Sequence, residues 1–114
     1  MQEESRIIKV SSVSDYVSEI NKDVKCVINF TAYWCDPCVL INPFYEKLSN
    51  LYGGCGINFL EIDIENSEGV ITLEDVRTIP TFLFYNRGCK TPIVMKGVDK
   101  TQLRSLVELF VSVP

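Results

Sequence analysis

The sequence predicts an α/β domain, with a central mixed sheet of about five strands flanked by about four helices. Strand-like and helix-like segments alternate along most of the chain, which is typical of a parallel sheet. Residues 24–30 are nearly all apolar or β-branched, as in a strand that is covered on both faces. Near the C-terminus, two strand-like runs at 81–85 and 92–96 flank the turn sequence Asn86-Arg87-Gly88, which predicts an added antiparallel hairpin.

The first third of the chain predicts a short strand at 6–10, a helix at 14–21 and the buried strand at 24–30. The helix follows a run of possible capping serines between residues 11 and 14. Its apolar residues recur at helical spacing and are Val13, Tyr16, Val17 and Ile20. Asp23 marks the turn into the buried strand.

A longer helix is predicted from Cys35 to about Leu51. Pro43 lies inside it and removes one backbone donor, so we expect a kink there. Five apolar residues are expected to share its buried face: Val39, Leu40, Phe44, Leu48 and Leu51.

The second half of the chain begins with a glycine-rich loop at 53–56 and a second central strand at 57–64. A short helix is predicted at 68–75, followed by the hairpin, whose second strand ends at Gly97. A last helix begins after a cap at Asp99 or Thr101. Its apolar face consists of Leu103, Leu106, Val107 and Phe110. The predicted order is therefore β-α-β-α-β-α-β-β-α.

Length and composition limit the classes of function. The 114 residues fit one domain, 1–114. The net charge is −4 and no stretch clusters Lys and Arg, which disfavours nucleic-acid binding. No apolar run reaches the roughly 18 residues of a membrane span, and residues 1–5 lack the pattern of a signal or transit peptide. We therefore expect a soluble, cytoplasmic protein. We also expect it to be a monomer.

The absence of histidine removes several mechanisms. Without an imidazole there is no Ser-His or Cys-His catalysis and no histidine metal ligand. Five cysteines without a secretion signal do not indicate a disulfide scaffold, and only Cys35 and Cys38 are close in sequence. The others, Cys26, Cys55 and Cys89, are scattered.

The segment Trp34-Cys35-Asp36-Pro37-Cys38 is the candidate functional motif. It follows a buried strand and opens a helix, so Cys35 is expected at a helix N-terminus, where free N–H groups and the macrodipole lower the pKa of a thiol. Cys38 is expected one turn further on and better protected. An exposed attacking thiol and a shielded resolving thiol suit two-step disulfide exchange. Pro37 fits the first helical turn, where its missing donor has no cost.

Two other interpretations of the motif remain open. A zinc site would need two more ligands from the scattered cysteines, which do not form a second pair. A structural bridge between Cys35 and Cys38 would close a loop too short to restrict the unfolded chain much. The redox dithiol is favoured over both.

Several separate stretches resemble the thioredoxin family, over nearly the whole chain. Residues 34–38 resemble its active-site motif, although the family usually has Gly where Asp36 stands. Residues 59–63 resemble its third strand, especially in eukaryotic members, and 79–82 resemble the segment that carries a cis-proline. Residues 96–98 resemble the glycine-containing segment beside it, and Pro43 falls where the family's long helix is kinked. The resemblance implies a thioredoxin fold.

The resemblance also implies the activity of a protein-disulfide reductase. Cys35 would attack the substrate disulfide, and Cys38 would then resolve the mixed disulfide. Pro80 would be cis and would present the backbone of Ile79 to the substrate chain. The docking surface would consist of Trp34, Ile79, Gly97 and Val98. The domain would need no bound cofactor besides its Cys35–Cys38 disulfide, and electrons would come from NADPH through a flavin enzyme, thioredoxin reductase.

Two alternatives to this activity are a binding or regulatory module of the same fold with little turnover, and a disulfide-forming oxidase. Asn29 and Asp36 keep the first alternative open, because both depart from the family pattern. The missing export signal and Asp36, which should not stabilise a thiolate, disfavour the oxidase.

Asn29 stands where the family usually has a buried Asp. Because an amide cannot take up a proton, we hypothesise that Cys38 is deprotonated less readily and resolves the mixed disulfide more slowly. Alternatively, Asn29 only avoids the cost of a buried charge. Asp36 lies beside the Cys35 sulfur, so its charge should raise the pKa of that thiol and make the couple more reducing.

The three remaining cysteines carry weaker expectations. Cys26 lies in the buried strand and is expected to act as a small hydrophobe. Cys55 and Cys89 are expected to be exposed, and therefore open to oxidation, glutathionylation or intermolecular bridging.

Overall fold

A computed structural model of the chain describes residues 5–54 and 56–114. The described residues form five strands and four helices in the predicted order. The elements are β1 (Ile7–Val10), α1 (Val13–Ile20), β2 (Lys25–Thr31), α2 (Asp36–Tyr52), β3 (Ile57–Asp63), α3 (Glu68–Glu74), β4 (Thr81–Asn86), β5 (Cys89–Lys96) and α4 (Lys100–Ser112). The predicted fold class is thus confirmed. No helix in these ranges is both long and apolar enough to cross a membrane.

The five strands form one mixed sheet in the order β1-β3-β2-β4-β5. The strands β1, β3 and β2 are parallel, whereas β4 and β5 are antiparallel to their neighbours. All seven residues of β2 are buried, as its apolar sequence predicts for a central strand. Within β2, Asn29 lies opposite Glu61 of β3 on one side and Phe82 of β4 on the other.

Helices cover both faces of the sheet. The core on one face packs α2 and α4 against the sheet and is rich in aromatic residues. Tyr45 is buried in this core, and its hydroxyl oxygen lies 3.0 Å from the carbonyl oxygen of Val27 and 2.8 Å from that of Leu60. Its single hydrogen can donate to either carbonyl, so this buried hydroxyl is satisfied. The core on the other face packs α1 and α3 against the alternate residues of β2 and β3.

The prediction for the buried face of α2 is confirmed for Leu48 and wrong for the other four residues. Val39, Leu40 and Leu51 are exposed, and Phe44 is only half-buried. The residues that face the sheet are Cys38, Ile41, Tyr45 and Leu48. These four follow the alternating spacing of three and four that one helix face requires. The helix carries more apolar residues than one face can hold. Which of them are buried depends on which side of α2 packs against the sheet.

Most element boundaries agree with the predictions within one or two residues, but β5 begins at Cys89 rather than at residue 92. Pro92, the predicted first residue of β5, lies inside the strand, which is tolerated because β5 is at the edge of the sheet. The turn before β5 has positive φ at Arg87 and Gly88, 52° and 87°, as a tight hairpin requires. Pro43 lies within α2, and the kink expected there stays a prediction.

Candidate redox site

The two motif cysteines lie at the start of α2, directly after the central strand. Cys35 is the N-cap of α2, and its Sγ accepts a hydrogen bond of 3.2 Å from the backbone N–H of Cys38. A side chain in this position satisfies one of the N–H groups that every helix start leaves free. The predicted location of Cys35 at a helix N-terminus is therefore confirmed.

Cys35 and Cys38 form a disulfide, with their Cα atoms 5.2 Å apart. Cys38 is completely buried, whereas Cys35 keeps 5% of its surface exposed. Cys35 is more exposed than Cys38, as predicted. It is nevertheless largely buried, whereas an exposed thiol was expected. The reason is its packing in a small apolar cluster with Ala32 and Cys38, bordered by Ile64 and Ile79.

The surroundings of the dithiol favour redox chemistry over metal binding. A zinc half-site needs two further ligands, and the cluster around these two cysteines is otherwise apolar. Over residues 5–54 and 56–114, no group of three or more His, Cys, Asp or Glu side chains lies at metal-binding spacing.

The segment before β4 lies directly against the dithiol. The carbonyl oxygen of Ile79 is 3.9 Å from the Cys35 sulfur. The Ile79-Pro80 peptide bond is cis, as the resemblance implied. The Pro80 carbonyl accepts a hydrogen bond of 3.1 Å from the N–H of Gly97, which brings residues 79–80 and 97 together. Gly97 has a φ of +97°, a conformation that other residues adopt only with strain.

Exposed apolar side chains surround this position. Trp34 is 53% exposed, and its indole N–H donates to a carboxylate oxygen of Glu65 at 2.5 Å, which holds the ring in place. Val98 is 42% and Tyr33 77% exposed. Neither Tyr33 nor Glu65 was predicted from the sequence to belong to the site. Tyr33 could have been found from its position beside Trp34, but no sequence signal indicated that Glu65 reaches the indole.

Asn29 is completely buried and its side chain points to α2. Its Nδ2 donates to Oδ1 of Asn42 at 2.9 Å, and the Nδ2 of Asn42 donates to Oγ1 of Thr31 at 3.1 Å. Asn42 lies four residues after Cys38 on α2, so the two share one helix face. The Oδ1 of Asn29 is buried and finds no donor in the described part of the chain. Asn42 and Thr31 were not predicted to belong to the site.

The other tuning residues of the motif lie on the surface. Asp36 and Pro37 occupy the first turn of α2 and both are exposed. A carboxylate in a first turn is favourable for the helix, but solvent weakens its effect on a neighbouring sulfur.

Of the other cysteines, Cys26 and Cys89 are free thiols outside the Cys35–Cys38 pair. Cys26 is buried as predicted, and burial, more than the nearby Glu19, raises the pKa of its thiol to about 11. It is therefore inert at neutral pH. Cys89 is exposed, as predicted. The prediction for Cys55 concerns a residue outside the described ranges.

Comparison with known proteins gives a consistent result. A family model described as Thioredoxin matches residues 7–109. The chain is 33% identical to the thioredoxin of Gallus gallus over 104 residues, which cover 90% of this chain and 96% of that protein. It is 37% identical to Thioredoxin-2 of Dictyostelium discoideum over 86 residues, 75% of this chain and 94% of that one. A crystal structure of the Malassezia sympodialis thioredoxin superposes with a TM-score of 0.88 at 26% identity and covers 98% of both chains.

Proposed function

Because the chain belongs to the thioredoxin family and is a dithiol oxidoreductase, we propose that it reduces disulfides in protein substrates through Cys35 and Cys38. The observation that carries this proposal is the hydrogen bond from the Cys38 N–H to the Cys35 sulfur at the start of α2. In the reduced protein the same N–H group and the helix dipole favour a negative charge on Cys35.

The reaction proceeds in two exchanges. The Cys35 thiolate attacks one sulfur of the substrate disulfide, forms a mixed disulfide and releases the other substrate sulfur as a thiolate. The Cys38 thiolate then attacks the Cys35 sulfur, so that the Cys35–Cys38 bond forms and the second substrate sulfur leaves. Two electrons pass from the dithiol to the substrate. The complete burial of Cys38 supports its role as the second nucleophile, since a substrate cannot reach it directly.

The substrate chain docks across Trp34, Ile79, Gly97 and Val98 in this proposal. The exposure of Trp34 and Val98 supports this role, as does the contact of the Ile79 carbonyl with the Cys35 sulfur. Pro80 shapes this segment, while Asn29, Asp36 and Pro37 tune the dithiol.

Each turnover leaves Cys35 and Cys38 oxidised, so a donor must return two electrons. We infer from the family resemblance that this donor is thioredoxin reductase, a flavin enzyme supplied by NADPH. A disulfide reductase works best in a reducing compartment, which supports a cytoplasmic location. We further propose that the protein acts as a monomer.

Reduction of insulin with dithiothreitol as electron source tests the proposed function. The intact protein should accelerate the reduction, and Cys35→Ser should lower the rate to that of dithiothreitol alone. Cys38→Ser should accumulate a mixed disulfide with insulin, visible as a mass adduct on Cys35. Cys89→Ser is the matched control, because it makes the same change at an exposed cysteine outside the site, and it should keep the full rate. An inactive intact protein would instead indicate a binding module.

A further inference from the structure

The buried amide of Asn29 has an unmet hydrogen bond beside the dithiol helix. Its Nδ2 is satisfied by Asn42, but its Oδ1, although buried, has no donor among the residues of 5–54 and 56–114. A buried acceptor that stays unpaired costs free energy, and such atoms are commonly satisfied by ordered water. The position is therefore suited to hold a proton-carrying solvent molecule.

The strand β3 places a carboxylate next to this amide. Glu61 is the register partner of Asn29 in the parallel β2–β3 pair, so both side chains leave the sheet on the face covered by α2. Glu61 and Asn42 line a groove of about 230 Å³ together with Thr31. The same two residues line an adjoining cavity of about 450 Å³. The polar chain from Asn29 through Asn42 therefore opens into a groove that contains the Glu61 carboxylate.

Exchange through this dithiol requires a proton acceptor for Cys38. The thiolate is the attacking form of cysteine, and Cys38 is completely buried, so its proton needs a path to a base. Asn29 cannot serve, since an amide takes up no proton. Two carboxylates line the groove, those of Asp63 and Glu61. Asp63 already accepts a hydrogen bond of 2.9 Å from the backbone N–H of Glu65, which leaves Glu61 as the better candidate for the base.

The charges around Glu61 favour this role. Burial raises the pKa of Glu61 above its ordinary value. Lys9 of β1 lowers this pKa, while Asp63 of β3 and Glu46 of α2 raise it further, with a net upward shift. A carboxylate with a raised pKa is the stronger base once ionised and comes closer to matching a thiol.

We propose that Glu61 accepts the proton of the Cys38 thiol, carried by solvent along Asn29 and Asn42. This inference rests on the proposed roles of Cys35 and Cys38. The proton moves from Cys38 to Glu61, and the Cys38 thiolate attacks the Cys35 sulfur of the mixed disulfide. The Cys35–Cys38 bond forms, the bond to the substrate breaks, and its electron pair leaves on the substrate sulfur. Glu61 afterwards returns the proton to that thiolate or to water. Asn29 and Asn42 are positioning residues in this scheme.

Single-turnover reduction of the symmetrical disulfide of nitrothiobenzoate separates the two exchanges. The attack of Cys35 releases a first coloured anion and the attack of Cys38 a second, provided that Cys55 and Cys89 are replaced by serine. Glu61→Gln should leave the first release unchanged. At about pH 6, Glu61→Gln should slow the second release by at least about tenfold, a conservative value for the loss of a general base. The difference in second-release rate between the wild type and Glu61→Gln should shrink as the pH rises from about 6 to about 9. The reason is that an ordinary thiol ionises without a base near about pH 8.5.

Glu68→Gln is the matched control, since it removes an exposed carboxylate in the first turn of α3, on the opposite face of the sheet. It should preserve the pH profile of the second release. Adding Asn29→Asp to Glu61→Gln should restore the second release, because it returns a carboxylate to the same face.

A second release that keeps the wild-type rate and pH profile in Glu61→Gln overturns the proposal. Glu61→Ala removes the same carboxylate and decides the question in the same way if the glutamine variant does not fold. Failure of the underlying roles has a different signature: Cys35→Ser would keep the first release, or Cys38→Ser would keep the second.

Discussion

Asp36 brings a negative charge into the turn that Cys35 caps. Its carboxylate is exposed, so solvent and salt reduce its influence on the neighbouring sulfur. The helix dipole and the Cys38 N–H act in the opposite direction and stabilise a Cys35 thiolate. The potential of the couple therefore reflects a competition between the helix start and the side chain inside it.

Replacing Asp36 by Gly should make the Cys35–Cys38 couple less reducing, because the Cys35 thiolate loses a repulsive neighbour. We expect a rise of the potential by at most about 30 mV, which corresponds to about 1.4 kcal/mol. Equilibration with glutathione measures it, and the shift should decrease in high salt. Asp36→Asn is the control that removes the charge without adding a flexible residue. A fall of the potential in Asp36→Gly would refute this explanation.

Residues within the motif could be predicted from the sequence because their arrangement is local. The spacing of Cys35 and Cys38 and the start of the helix determine which sulfur caps it. Asn42 and Glu61 could not be found in this way. Their proximity to Asn29 depends on how α2 crosses the sheet and on the register of β2 with β3. Local sequence patterns predict neither of these.

At the scale of elements, a buried carboxylate joins two helices and two strands. Glu74 ends α3 and has only 5% of its side chain exposed. Its carboxylate accepts hydrogen bonds from the hydroxyls of Tyr16 in α1 and Tyr85 in β4, and it pairs with Lys90 of β5 at 3.0 Å. Burial alone would raise the pKa of Glu74, but these three partners outweigh it and lower the pKa below 4.5.

This cluster should make the fold sensitive to acid. Because the pKa of Glu74 is lower in the folded protein, its contribution to the free energy of unfolding is complete above the ordinary value of 4.5 and is lost as the pH falls through the folded pKa. Glu74→Gln should destabilise the protein by about 1–3 kcal/mol at neutral pH. Urea unfolding measures this, and the difference in free energy of unfolding between the wild type and Glu74→Gln should narrow below pH 4.5. Glu68→Gln, in the first turn of the same helix, is the control. A difference that stays constant into acid would contradict this account.

The order and type of the elements were predictable because each carries its own periodicity and its own turn signals. The buried face of α2 was not, because apolar residues surround much of that helix. Val39 and Leu40 remain outside, since only the side that carries Cys38, Ile41 and Tyr45 meets the sheet.

At the scale of the whole molecule, the redox site lies where the central strand ends. The strand β2 is followed by α2 on one face of the sheet, whereas the neighbouring β3 is followed by α3 on the other face. The connections therefore diverge at the carboxyl ends of these two strands, the position where α/β sheets commonly form their sites. The resemblance to the thioredoxin family predicted this arrangement, and the packed sheet holds Cys35 against Ile79.

The reduction potential of the Cys35–Cys38 couple decides between a disulfide reductase and an oxidase. It is measured by equilibrating the intact protein with glutathione buffers and quantifying the oxidised fraction. We predict a potential more negative than the poise of cytosolic glutathione, about −220 to −260 mV. A value well above this range, near the roughly −120 mV of a strongly oxidising dithiol, would contradict the account.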